Sequence, residues 1–192
     1  IRMRSPVQDK RSLMDIGAAG PLAGLLVAIP VVVVGLNMSE VRFFPPGLKE
    51  LGGIQLGSSL LFEALSHLIV GAVPPQHDLV LHPVAFAGWI GLLVTALNLM
   101  PVGQLDGGHI LYAIIGPRAL TVSRIVLVIL VGLGIFGWTG WLLWALVLSV
   151  LGFRHPYPMD SWTPLDRSRK IIGLATLVVF ILTFTPVPFH GF

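Results

Sequence analysis

The run Asn98-Leu99-Met100-Pro101-Val102-Gly103-Gln104-Leu105-Asp106-Gly107-Gly108-His109 decides how this chain is read. Asp106 is the only carboxylate between Leu79 and Met159, and apolar sequence of membrane character flanks it on both sides. An ionised carboxylate at that depth costs about 2.5–3.5 kcal/mol by insertion scales, so it needs a proton, a cation or a metal as partner. Pro101 ends the preceding helix, and the glycines after Asp106 let the backbone come close to something, leaving room for an extended strand. A helix broken in lipid is tolerated only where the protein lines a site. The run marks a site, not a filler span.

Composition agrees. Hydrophobic residues make up 55% of the chain and charged residues 11%, against roughly a quarter charged in an ordinary soluble domain. Mean hydropathy is +0.88, which places the chain among all-α polytopic membrane proteins embedded in a lipid bilayer. The net charge of +3 is small. Its basic residues fall between apolar stretches rather than on one face, so they report topology and not a nucleic-acid partner. Without cysteine there is no disulfide, thiolate zinc site or cysteine nucleophile, and any metal must be held by His, Asp or Glu.

Five spans are expected, with the break at the site inside one of them. Ile16 to Leu36 is about 20 uncharged residues, enough for the first. Its Gly17, Gly20 and Gly24 share one helix face, and Gly20 to Gly24 is a GxxxG that permits close helix contact. Asn37 to Val84 is mixed and Pro-rich. Within it, Leu56 to Val73 carries Ser59, Glu63, Ser66 and His67 as a polar stripe, as in a helix lying on the membrane surface or over the spans. Phe86 to Met100 begins the next span, which resumes at Ile110 and stops at Gly116-Pro117. Ala119 to Phe153 is too long for one span, and Gly137-Trp138-Thr139-Gly140 supplies a turn, so a hairpin of two short helices is expected. Trp138, Trp141 and Trp144 read as interfacial anchors. Lys170 to Phe184 forms the last span.

The basic residues support this count. Arg2, Arg4, Lys10 and Arg11 precede the first span, Arg118 and Arg124 follow the span that carries the motif, and Arg154, Arg167, Arg169 and Lys170 follow the hairpin. All fall on one side, the cytoplasmic one, only if the hairpin is real. Residues 37–84, with Arg42 and Lys49 against Glu40, Glu50, Glu63 and Asp78, then form an extracytoplasmic loop with an interfacial helix. His77, Asp78 and His82 belong to that loop, and His82-Pro83 marks a helix start.

The stretch Asn98, Pro101 and Leu105-Asp106-Gly107 resembles the second signature of the site-2 protease family, intramembrane zinc metalloproteases of the M50 peptidase class. Asp15-Ile-Gly17-Ala-Ala-Gly20-Pro21-Leu-Ala-Gly24 is similar to another stretch of the family, as are His82-Pro83 through Trp89 and Thr163 through Arg167. The likeness covers most of the chain, in the order of the family's bacterial members, which implies a bacterial cell membrane. It implies that residues 1–192 are part of a single membrane-embedded peptidase domain. Asp106 would be a zinc ligand, Asn98 a hydrogen-bond donor to the oxyanion or the substrate backbone, and Pro101 the break that aims Asp106. His109 would be structural or a partner of the site. The implied substrates are single-span membrane proteins.

One departure matters. The family's His-Glu-x-x-His is absent: no histidine precedes Glu, and no two histidines are four apart. That motif puts two zinc ligands and a general base on one helix face, so the two histidines are expected from sequence upstream, completing one zinc site. Two rival readings stand beside this one. A buried acid at a broken helix also suits a proton- or ion-coupled transporter or channel, though no inverted repeat is visible. A catalytically inactive family member that binds membrane proteins is the other.

Overall fold

The computed structural model describes residues 9–45, 55–151, 160 and 163–190. Arg2, Arg4, Lys49, Glu50 and Arg154, on which part of the topology argument rests, lie outside the described residues. The order is α1 (Lys10–Asn37), β1 (Glu40–Phe43), β2 (Gln55–Leu56), α2 (Leu60–Ile69), β3 (His77–Val80), α3 (Pro83–Leu99), α4 (Asp106–Ile115), a 3-10 turn (Gly116–Arg118), α5 (Ala119–Phe136), α6 (Gly140–Leu151), α7 (Arg167–Thr183) and β4 (Phe189–His190). The chain is mostly helical. Among the described residues two helical runs are long and apolar enough to cross a membrane, Lys10–Asn37 and Asp106–Phe136. Helix length alone therefore yields two spans rather than five.

α1 starts six positions before the expected Ile16, because Asp9 caps it by accepting the Ser12 amide at 2.8 Å. Capping by a short carboxylate outweighs the polarity of Lys10, Arg11 and Asp15. The helix also runs on through Pro21 and Pro30, each of which removes one helical hydrogen bond. Its partner is α3, which crosses it antiparallel: Gly35 lies against Ala85, Val32 against Gly88, Ala28 against Gly91 and Gly24 against Thr95. Small residues let the backbones close up, the usual means of helix association in lipid. At Gly35 the approach is so near that a Cβ would stand 2.1 Å from the Ala85 nitrogen.

α2 is shorter than the sequence suggested, because Ser59 caps it by accepting the Phe62 amide. Phe62 is buried with Val32, Leu36, Trp89 and Leu92, while Leu60 and Leu68 stay exposed. The 37–84 region also holds strands that its mixed composition hid. β1 pairs antiparallel with β3, Glu40 opposite Val80 and Phe43 opposite His77, and β2 pairs with β4. His82 is the N-cap of α3, its Nδ1 accepting the Val84 amide.

The hairpin forms as expected, α5 and α6 turning at residues 137–139. Trp141 is a correction. It is fully buried, donating its indole N–H to the Pro186 carbonyl at 2.6 Å and stacking on Phe184. The chain after α7 folds back over the start of α6, so this ring is core rather than an interfacial anchor.

α7 starts three residues before the expected Lys170, capped by Asp166, which accepts the Arg169 amide at 2.9 Å. The Arg169 guanidinium reaches Asp15 of α1 at 2.6 and 2.9 Å and Asp166 at 2.6 Å, tying the starts of both helices together. The Arg169 amide, and then its charge, hold the Asp166 carboxyl below the ordinary aspartate value. The Ser12 amide does the same for Asp9. A depressed folded-state pKa contributes stability that is present above the unfolded value and lost as pH falls through the folded one. The melting temperature in detergent should therefore be flat down to about pH 4 and fall below it. In Asp166→Asn the fall should be shallower, and an unchanged acid limb would show that this cap does not matter.

Candidate metal centre

α3 ends at Leu99 and α4 begins at Asp106, with Met100–Leu105 non-helical between them. The interruption is thus shorter than expected, since Asp106, Gly107, Gly108 and His109 are already helical. An aspartate in a helix's first turn complements the positive end of the helix dipole. Leu105, half-buried, is the N-cap, extended in backbone, and its carbonyl accepts the His109 amide at 3.0 Å. Its side chain packs into the cluster of Met100, Val102, Leu130 and Trp141.

The two glycines hold the two ends of the break together. A Cβ on Gly107 would lie 1.9 Å from the Leu99 carbonyl oxygen, and one on Gly108 would lie 2.4 Å from that of Gly103. The space expected for a substrate strand is filled here by the chain's own backbone. This corrects the sequence reading: the glycines serve the packing of α4 on its own linker.

Room near Asp106 lies instead toward α1. Gly17 abuts the start of α4, where its Cβ would lie 3.0 Å from the Asp106 carbonyl oxygen and 3.2 Å from the His109 Cβ. One turn further, only Asp106 Oδ2 comes near Gly20, 3.5 Å from a Cβ built there. Ala19, Gly20, Ala23 and Gly24 are exposed and Pro21 is buried, so α1 shows an open face of small residues beside the carboxylate. Asp106 itself is half-buried, and among the described residues nothing hydrogen-bonds or ion-pairs with its side chain. The sequence placed the Gly17–Gly24 face and the Asp106 motif about ninety residues apart (roughly 300 Å if fully extended), and the fold brings them into contact.

Asn98 occupies the last turn of α3, half-buried, directly before the Leu99 carbonyl on which Gly107 rests. It and Asp106 therefore flank the same interruption. His109 is buried in the α1–α4 contact. Among the described residues no group of three or more His, Cys, Asp or Glu side chains comes together to hold a metal. A zinc ion needs three protein ligands with a fourth position open. Asp106 fits as one of them, on an open side, with the rest of the donor set still to be supplied.

Ser123 of α5 escaped the sequence reading. Its hydroxyl donates to the Pro101 carbonyl at 3.1 Å and accepts the Gly103 amide at 3.4 Å, fastening the interruption from the side. A serine in the first turns of an otherwise apolar helix, beside Thr121, was the available signal. Ser123→Ala should cost about 1 kcal/mol and speed hydrogen exchange at Gly103. Unaltered exchange there would show that the linker is held by other contacts.

A sequence model described as Peptidase family M50 matches residues 1–136. The chain belongs to this family, that of the site-2 proteases. Along 97% of its length it is 30% identical to "Probable zinc metalloprotease EGY1, chloroplastic" of Arabidopsis thaliana, covering 34% of that protein. It is 28% identical to "Probable zinc metalloprotease EGY2, chloroplastic" of the same plant over 98% of the chain and 34% of the relative. With "Probable zinc metalloprotease EGY3, chloroplastic" of Oryza sativa subsp. indica it shares 38% identity over 95% of the chain and 33% of the relative. This M50 chain thus spans about a third of the length of the curated relatives it matches. No solved structure matches it. Family membership and the two long apolar runs agree with a membrane protein, whereas the chloroplastic names lend no support to a bacterial cell membrane.

Proposed function

We propose that this chain is part of a zinc-dependent intramembrane endopeptidase and supplies the carboxylate ligand of its metal. The observation that carries this reading is Asp106: a half-buried acid with no protein partner among the described residues, held rigidly beside an open face of small residues on α1. A second helix can lie close against Ala19, Gly20, Ala23 and Gly24. The His pair of a His-Glu-x-x-His helix would reach Asp106 from there, borne by part of the protein beyond these residues. Zinc, when bound, lowers the pKa of its water toward about 7 and polarises the scissile carbonyl.

The chain's own residues have separate tasks in this reading. Asp106 binds; Asn98 donates to the oxyanion or to the unwound substrate backbone; Pro101 and Ser123 set the break that aims Asp106. The interruption lies within a membrane-crossing helix, one of five spans, with residues 37–84 on the extracytoplasmic side. A substrate helix has its backbone hydrogen bonds made internally and must unwind before water can attack. Single-span membrane proteins are the substrates that meet this site.

The test is metal analysis of the intact protein with a single-span reporter substrate. About one zinc per molecule is expected, with cleavage lost on chelation and restored by added zinc. Undiminished cleavage by metal-free protein would overturn the proposal. Ion flux in proteoliposomes without cleavage would replace it with a transporter, and an intact sequence lacking His-Glu-x-x-His with an inactive binder of membrane proteins.

A further inference from the structure

A cavity of about 300 Å³ lies between α4 and α7, bordered at the motif by Leu99, Pro101 and Gly107. Gly107, Ile110 and Ile114 of α4 line one wall, and Leu174, Leu177 and Phe180 of α7 the other. Lys170 stands at one end. Arg169 beside it is committed to Asp15 and Asp166, whereas Lys170 is exposed and has no ion-pair partner among the described residues.

We propose that this groove holds one acyl chain of an anionic phospholipid, with the lipid phosphate paired to Lys170. Three features select that occupant. From Lys170 to Phe180 the groove follows α7 for about 15 Å, half of a hydrocarbon core about 30 Å thick and thus the depth of a single leaflet. Its walls are apolar apart from Thr176, whose hydroxyl is already spent on the Gly173 carbonyl. A helix about 10–12 Å across is too wide for a 300 Å³ groove of this length, while an unbranched hydrocarbon chain fits. Lys170, without an ion-pair partner among the described residues and placed where α7 meets the basic side, matches a phosphate on the leaflet rich in anionic lipid. This site needs only that the chain be membrane-embedded and does not depend on zinc or proteolysis.

The experiment is native mass spectrometry of the full-length protein in detergent, titrated with phosphatidylglycerol or with phosphatidylcholine bearing the same acyl chains. One retained phosphatidylglycerol is expected, with phosphatidylcholine held at least tenfold more weakly. Lys170→Gln, an exposed change that leaves the fold alone, should erase that preference, and Lys170→Arg should keep it. Leu174→Trp, which fills the groove, should lower retention of both lipids while Lys170→Gln protein still holds both weakly. Equal retention of the two lipids by the unmodified protein would overturn the proposal. So would unaltered phosphatidylglycerol binding in Lys170→Gln, or its stoichiometric displacement by a single-span substrate peptide.

Discussion

Asp106→Ala in the intact protein is expected to lose zinc and reporter cleavage together, while the protein still folds. Asp106 has no hydrogen-bond or ion-pair partner among the described residues, so its removal breaks no contact of that kind with them. The structural cost is limited to the favourable placement of an acid at a helix start, about 0.3–1 kcal/mol. The functional cost is far larger. Loss of an outer partner of a metal ligand already lowers affinity or activity by about 10–100-fold, and loss of the ligand itself should exceed the upper figure. Asp106→Asn should behave like Asp106→Ala, since the amide keeps the size but not the charge. Retained cleavage in either variant would remove Asp106 from the metal site. A collapse in melting temperature alongside lost activity would assign it a structural role instead.

The second large effect is expected from Gly107→Ala, which adds a single methyl group. Its Cβ would lie 1.9 Å from the Leu99 oxygen, 2.3 Å from the Leu99 carbon and 2.6 Å from the Met100 oxygen. All three are backbone atoms, so no side chain can rotate away, and the start of α4 must part from the end of α3. Overpacking commonly costs about 1–3 kcal/mol, and this site belongs at the top of that range. A drop in melting temperature of roughly 5–10 °C is expected, with cleavage lost because Asp106 moves with its helix. Gly132→Ala in α5 is the control: nothing lies within 4 Å of its Cβ position, and a helix gains up to about 1 kcal/mol from the exchange. Equal melting temperatures for the two variants would refute the close packing at the break.

Much of this was legible in the residues themselves. A carboxylate in apolar sequence, a proline and paired glycines located the interruption, because charge burial and missing backbone donors act locally. The turn at residues 137–139 was likewise visible, because Gly137 and Gly140 punctuate an apolar stretch too long for one helix. Helix starts were missed at α1 and α7, where capping by Asp9 and Asp166 overrode the polarity of the residues that follow. The strands β1 and β3 were missed because two distant four-residue segments, neither with a buried residue, pair through backbone, which leaves no periodic trace in side chains.

The amino-acid sequence by itself determined that this is an apolar, mostly helical chain with one acid where a proline and paired glycines interrupt helix, since those features follow from hydropathy and backbone chemistry alone. Only the tertiary structure decided what the glycines are for. Gly107 and Gly108 look alike with Gly20 and Gly24 in the sequence, yet the first pair meets carbonyls of its own linker, whereas Gly20 meets Asp106 Oδ2 of α4 and Gly24 meets Thr95 of α3. Glycine records that something comes close, and what comes close is a nearby carbonyl for one pair and a segment about seventy to ninety residues away for the other.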